Sequence, residues 1–241
     1  MAEESRSRSY YDEFSETYEH HRDRGYHAML DDLEVDLVRR YCGDGTLLEA
    51  GCGTGLILNR LSPHCRAAVG IDLSAGMLSH ASARALTVVQ GKLDDLPFAD
   101  NAFDTVVSFK VLAHVQPIEK AMEEMARVTR PGGHMLLEFY NTYSLRGLIK
   151  QLKRPTRIGS TYDDEDVYTR LDSPARLRTY LPPGVQLLGV KGVRVVTPVA
   201  QLHRVPLVGA LLRGCERLAA DAPGLRWLGG FLILILQKTD S

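Results

Sequence analysis

The residues that could do chemistry gather around one acid, three glycines and a second acid. Glu49 closes the apolar run Leu47-Leu48, and Gly51, Gly53 and Gly55 alternate behind it before apolar spacing resumes at Leu56, Ile57 and Leu58. Glycines let backbone pass close to a ligand, and a helix that starts there presents unpaired N–H groups. Asp72 ends a second apolar run, Ala67 to Ile71. An acid about twenty residues beyond such a turn can hold a ribose diol. The pattern is strand, tight turn and helix start, a nucleotide-type cradle at the carboxyl end of a strand.

A dinucleotide and S-adenosylmethionine both suit this cradle, and two residues separate them. The dinucleotide fingerprint wants glycine three places after Gly53, where this chain has Leu56. Glu49 before the turn would repel a pyrophosphate and would suit the cationic ammonium of a methionine tail. The residues therefore favour S-adenosylmethionine over a nicotinamide dinucleotide. With Glu49 to Gly55 reading E-A-G-C-G-T-G, the chain resembles the class I S-adenosylmethionine-dependent methyltransferases, in their small-molecule branch. The resemblance runs from about Leu47 to Phe139.

That resemblance implies site roles along the chain. Glu49, Gly51, Cys52, Gly53, Asp72 and Leu73 would hold the cofactor, and Met77, in a D-x-S-x-x-M-L-like pattern, would pack on its adenine. Gly91 to Phe98 resembles the element that reads the adenine edge. Lys92 stands at its acidic position and cannot accept a hydrogen bond from the adenine amine. The Leu93 N–H is the expected contact, with Asp94, a carbonyl or water left for the amine. Phe109, at the end of the Phe103-to-Phe109 strand, would floor the site, with His114 at the rim.

Tyr11 and Tyr18, with Phe14, share a face of an N-terminal helix, and by the resemblance they would approach the cofactor's methionine end or the acceptor. Arg22 and Arg24 are candidates for the methionine carboxylate. His114 is the first candidate base because histidine titrates near working pH, with Tyr11 or Tyr140 second. Tyr18, Glu138, Tyr140 and Asn141 are the expected acceptor residues. The stretch after the fourth strand lacks the N-P-P-Y or D-P-P-Y signature, which argues against a nucleic-acid base as acceptor. Two other readings stay open: a non-catalytic sensor or partner subunit that binds the same cofactor, and a nicotinamide-dependent oxidoreductase.

The elements that must position these groups follow from patterning. Short apolar runs alternate with longer amphipathic stretches, which reads as a doubly wound α/β fold: a mostly parallel Rossmann-like sheet with helices on both faces. The resemblance implies seven strands and an antiparallel C-terminal edge strand. Strands are expected at 47–50, 67–72, 86–90, 103–109, 135–140, within 185–196, and at 231–237. Residues 1 to 9 read as frayed, 10 to 18 and 26 to 41 as helices, and Pro131-Gly132-Gly133 as a turn after a helix ending at Arg130. The chain, 241 residues, reads as one methyltransferase domain: a helical cap over 1–42, a cofactor-binding core over 43–141, and an acceptor-side lid with C-terminal strands over 142–241.

Composition bounds the partners. A formal charge of −1 gives no global pull toward nucleic acid or anionic membrane. Cys42, Cys52, Cys65 and Cys215 are scattered with no C-x-x-C pair, so a reducing cytoplasm and no structural metal are expected. The run Phe231 to Leu236 is too short to span a bilayer and reads as a buried strand. The basic run Arg146, Lys150, Lys153, Arg154 and Arg157 reads as a solvated helix face, or as a lid whose cations meet an anionic acceptor. The apolar surplus between Thr197 and Gly230 permits an apolar acceptor, a homodimer contact or a lipid surface.

Overall fold

The computed structural model describes residues 2–20, 22, 25–144, 157–158, 162–163, 168–197 and 200–239. Two helices lead, α1 (Ala2–Ser15) and α2 (Gly25–Cys42). An alternating series follows: β1 (Thr46–Ala50), α3 (Leu56–Leu61), β2 (Ala67–Asp72), α4 (Ala75–Ala83), β3 (Thr87–Gln90), β4 (Phe103–Ser108), α5 (Ile118–Val128) and β5 (Thr129–Tyr140). The chain continues through a two-residue pair, β6 (Arg157–Ile158) with β7 (Tyr162–Asp163), then α6 (Pro174–Thr179), β8 (Val185–Val193), α7 (Pro206–Asp221) and β9 (Phe231–Lys238). No described helix is long and apolar enough to cross a membrane.

Seven strands form one sheet in the order β3-β2-β1-β4-β5-β9-β8. β1 to β5 run parallel to one another, and β9 runs antiparallel to both β5 and β8. The antiparallel strand is thus the C-terminal one, as expected, and it lies one place in from the edge that β8 occupies. Its composition explains this: Phe231 to Leu236 are all buried, which only a strand paired on both sides and covered on both faces requires.

Alternation along the strands divides the core between the two faces. Leu47, Val107, Leu136 and Ile233 pack with Leu30, Leu33 and Leu37 of α2 and Leu58 of α3. Leu48, Val106, Leu137 and Leu234 point the other way, onto Ala121, Met122 and Met125 of α5. Burying each such leucine or valine contributes about 1.5–3 kcal/mol.

Two sequence expectations need correcting. Residues 2 to 9 are helical rather than frayed, and α1 stops at Ser15, so Tyr18 falls in the turn beyond the helix rather than on it. α5 stops at Val128, and Pro131-Gly132-Gly133 is absorbed into β5 rather than forming a separate turn. The register slips between Phe103 and Thr105 opposite this stretch, and Gly132 takes φ +75, so the irregularity is carried inside the strand.

The E-x-x-R-V-x-R-P-G-G phrase is structural. Arg127 pairs with Glu124 at 2.7 Å and donates to the carbonyls of Phe98 and Leu96, while the other Glu124 oxygen accepts from the Leu96 N–H. Arg130 bonds Asp104 at 2.7 Å. These contacts fix the loop that carries Lys92 to Phe98 beside the sheet's carboxyl edge.

Candidate functional site

A cavity of about 790 Å³ lies across the carboxyl ends of β1, β2 and β4. Because these strands are parallel neighbours, Glu49, Asp72 and Phe109 are delivered to one edge. Tyr11, Tyr18, Glu49, Gly51, Cys52, Gly53, Asp72, Leu73, Met77, Lys92, Leu93, Asp94, Phe109 and His114 all line it. Arg22 does too; Arg24 lies outside the described residues.

The turn after β1 is shaped by Gly51, at φ +81, whose N–H donates to the Ile71 carbonyl at 2.7 Å. A Cβ there would come within 2.4 Å of Val111 Cγ2, so only glycine leaves this wall in place. Gly55 does something else. A Cβ on it would meet Leu86 and Ala81, so it admits α4 against α3 and does not line the cavity.

Asp72 is held by backbone. Its Oδ2 accepts from the Gly53 N–H at 2.8 Å and its Oδ1 from the Ser74 N–H at 2.9 Å. Burial pushes its carboxyl up, against the pull of the Ser74, Gly53 and Leu73 N–H groups. Each oxygen keeps a lone pair for a ligand hydroxyl.

Glu49 is buried, and its Oε2 has no hydrogen-bond partner. Burial first, and then the neighbouring Glu34, push its carboxyl well above the usual range. Around it lies a charge cluster that sequence reading missed. Lys110 Nζ sits 3.0 Å from Asp31 and 2.7 Å from Glu34, and Arg22 lies 3.6 Å from Asp31 while stacking on Tyr18 at 4.4 Å. Burial alone would lower the Lys110 pKa, but Glu34, Asp31 and Glu138 outweigh it and keep the ammonium charged. Asp31 and Glu34 are thus met by Lys110 and Arg22, while the Glu49 oxygen beside them has no hydrogen-bond partner among the described residues. Asp31 and Glu34 sit three apart on α2, facing inward among leucines, the one signal that could have marked them.

The α1 helix closes the α4 side of the cavity. Asp12 Oδ1 accepts from Ser74 Oγ at 2.5 Å and from the Gly76 N–H at 2.9 Å, while Ser74 caps α4 by accepting from the Met77 N–H. Beyond α1, Glu19 pairs with Arg84 at 2.6 Å. This tie holds Tyr11 and Tyr18 over the cavity.

At the rim, His114 ends a short 3-10 turn, Leu112–His114, rather than sitting in a longer helix. Its Nδ1 lies 2.8 Å from the Tyr168 carbonyl and must donate there, which leaves Nε2 as the acceptor nitrogen. The ring stands 6.3 Å from that of Tyr11 and 5.7 Å from that of Tyr140. Arg170, paired with Asp172 at 2.8 Å, donates to the carbonyls of Leu112 and Val115 and so pins the same turn. Tyr168 and Arg170 line the cavity and were not legible in the sequence, because their bonds to the Leu112–Val115 turn span more than fifty residues.

Glu138, Tyr140 and Asn141 are not on the cavity wall. Glu138 and Asn141 are fully buried, and Asn141 Nδ2 donates to the carbonyls of Trp227 and Gly229. Pairing with β9 covers the end of β5 and gives Asn141 to structural use; Tyr140 stands behind the wall, against His114 and close enough to Tyr11 to act on its hydroxyl, and Glu138 acts on Lys110. The basic run from Arg146 to Arg154 lies outside the described residues, and only the backbone of Arg157 is placed.

Comparison with known proteins follows this geometry. Residues 48–137 match the family model described as a methyltransferase domain. A curated relative from Mycolicibacterium paratuberculosis, named demethylmenaquinone methyltransferase, is 35% identical over 130 residues, 51% of this chain and 56% of its own length. The chain thus spans about half the length of that relative. A solved S-adenosylmethionine-dependent methyltransferase from Thermotoga maritima superposes with TM-score 0.64 at 20% identity, over 88% of this chain and 89% of its own. Another from Mesorhizobium loti gives TM-score 0.60 at 19% identity, over 86% and 97%. At these identities the two structures speak to the fold.

Proposed function

We propose, from a chain that belongs to the class I S-adenosylmethionine-dependent methyltransferases, that it moves a methyl group from this cofactor to an oxygen or nitrogen of a small-molecule acceptor. The observation that carries the reading is the pairing, in one cavity, of the Glu49 oxygen without a partner and the backbone-held Asp72 carboxylate with the oriented imidazole of His114. When bound, S-adenosylmethionine supplies an electrophilic methyl on a sulfonium and leaves as S-adenosylhomocysteine. The residues fit it: Glu49 favours the ammonium, Asp72 accepts from the ribose hydroxyls, Arg22 is placed among the acids to meet a carboxylate, and Leu93 with Met77 receives the adenine.

The protein's part is alignment, which in well-placed systems is worth about 7–11 kcal/mol. His114 Nε2, held by the Tyr168 carbonyl through Nδ1, takes the proton of an acceptor that enters protonated. Burial pushes the Tyr11 hydroxyl well above the usual phenol range, so Tyr11 serves as a hydrogen-bond donor and not as a base. The relative's name, demethylmenaquinone methyltransferase, supports a small-molecule acceptor.

The test is incubation with methyl-labelled S-adenosylmethionine and a panel of phenols and amines, with the labelled position read by NMR. Methyl on oxygen or nitrogen is the expected outcome; label on carbon, or cofactor binding with no turnover on any acceptor, overturns the reading in favour of a different acceptor atom or of a sensor. His114→Gln should lower kcat by about 10²-fold or more with little change in KM for the cofactor.

A further inference from the structure

Helix α7 carries an apolar stripe that the body of the protein does not cover. Leu207, Leu211 and Leu218 are 85%, 69% and 79% exposed, with Val208 beside them. Their spacing, together with Gly214, is four, three and four, one straight line along a helix. The opposite face is locked. The Glu216 carboxylate accepts from the N–H groups of Val195, Val196 and Thr197 at 2.7 to 3.0 Å, and Ala219 and Ala220 are buried. The helix therefore cannot roll to hide its leucines, and burying three leucines instead of exposing them would be worth several kilocalories in any packed setting.

Charge decides what fits the stripe. Arg213 and Arg217, four apart, flank it on one side, and residues 200 to 229 contain Arg204, Arg213, Arg217 and Arg226 against the acids Glu216 and Asp221. Both acids are spent, Glu216 on backbone and Asp221 on Lys191 at 2.7 Å. The flank is thus cationic with no acid of α7 left to meet it. An antiparallel pairing of two copies across the stripe would set this flank against itself, whereas anionic lipid headgroups above an acyl layer complement both the leucines and the arginines. His203, just before the helix, lies 5.9 Å ring to ring from Tyr26 of α2.

We propose that the α7 stripe is a membrane-interface surface that seats this protein on an anionic bilayer. The proposal concerns the surface alone and does not rest on the reaction proposed above. The test is sedimentation of the full chain with vesicles of phosphatidylcholine, and of phosphatidylcholine mixed with phosphatidylglycerol, at low and high salt. Wild type should sediment with the anionic vesicles, less so at high salt, and the variant carrying Leu207→Glu, Leu211→Glu and Leu218→Glu should partition at least about tenfold less. Arg213→Gln with Arg217→Gln keeps the stripe and should lose the preference for anionic over neutral vesicles, which keeps the test decisive should the triple variant misfold; S-adenosylhomocysteine binding and melting temperature report folding in each. Absence of wild-type binding to anionic vesicles, or equal binding by either variant, overturns the proposal. So does a wild-type dimer in light scattering that the leucine variant dissolves while vesicles are ignored, which would assign the stripe to a second copy.

Discussion

Glu49 is a carboxyl group that the fold keeps in an unfavourable setting, and the sign of its titration is testable. Burial raises its folded pKa above the usual value of 4.5, so its contribution to stability is intact below that pH and declines as pH rises toward the folded value. A cation docking against it reverses the preference and expels the proton. Binding of S-adenosylmethionine to wild type should therefore release a proton, seen as a calorimetric enthalpy that changes with the ionisation enthalpy of the buffer at one pH; Glu49→Gln should abolish the dependence. Identical enthalpies in all buffers for wild type would remove the ammonium role. Lys110 poses the converse case. Lys110→Met leaves Asp31 and Glu34 without their shared cation, and breaking a buried pair from one side costs about 3–5 kcal/mol. Chemical denaturation should show that loss near neutral pH and a partial recovery in acid, where the two carboxyls can take up protons; a loss below about 1 kcal/mol would place the cluster in solvent.

At the scale of elements, α1 acts as a cover whose attachment is local and therefore separable from the fold. One carboxylate, Asp12, meets the N-terminus of α4 where backbone N–H groups have no helical partner, an interaction of about 0.5–2 kcal/mol. Gly76 makes room for it: a Cβ there would fall 2.9 Å from Ser15 Oγ and 3.0 Å from Asp12 Cα. Gly76→Val should push α1 away, speed hydrogen exchange over 2–15 and raise the cofactor dissociation rate, with little change in exchange over β1, β4 and β5. Slowed or unchanged exchange in α1 would show that the helix is held by its aromatic side chains and not by this tie. The sequence showed a helix carrying Tyr11 and Phe14, since period and residue type are local, but placed Tyr18 on it although the helix ends at Ser15. It did not show where the helix begins or ends, because its attachment to α4 through Asp12 joins segments more than sixty residues apart.

For the molecule as a whole, legibility followed distance along the chain. The strands and the lining residues from Glu49 to His114 were readable because a parallel sheet buries each strand on both faces and delivers consecutive strand ends to one edge. The Lys110 cluster with α2, the Tyr168 carbonyl on His114 and the covering of Glu138 and Asn141 by the β9 side were not, since each joins segments that no period connects. One measurement spans these scales. A ligand that binds only the folded state at a hundredfold its Kd stabilises it by about 2.7 kcal/mol, and a chain of this size gains about 2–4 °C per kcal/mol. S-adenosylmethionine should thus raise Tm by roughly 5–11 °C, while a nicotinamide dinucleotide should leave it unchanged. Asp72→Ala, which loses hydrogen bonds to a charged group worth about 1.5–3 kcal/mol, should cut that rise to half or less at the same ligand concentration. A full rise in the Asp72 variant would detach the ribose from this carboxylate, and a rise with the dinucleotide alone would return the cradle to the oxidoreductase reading that Glu49 and Leu56 argue against.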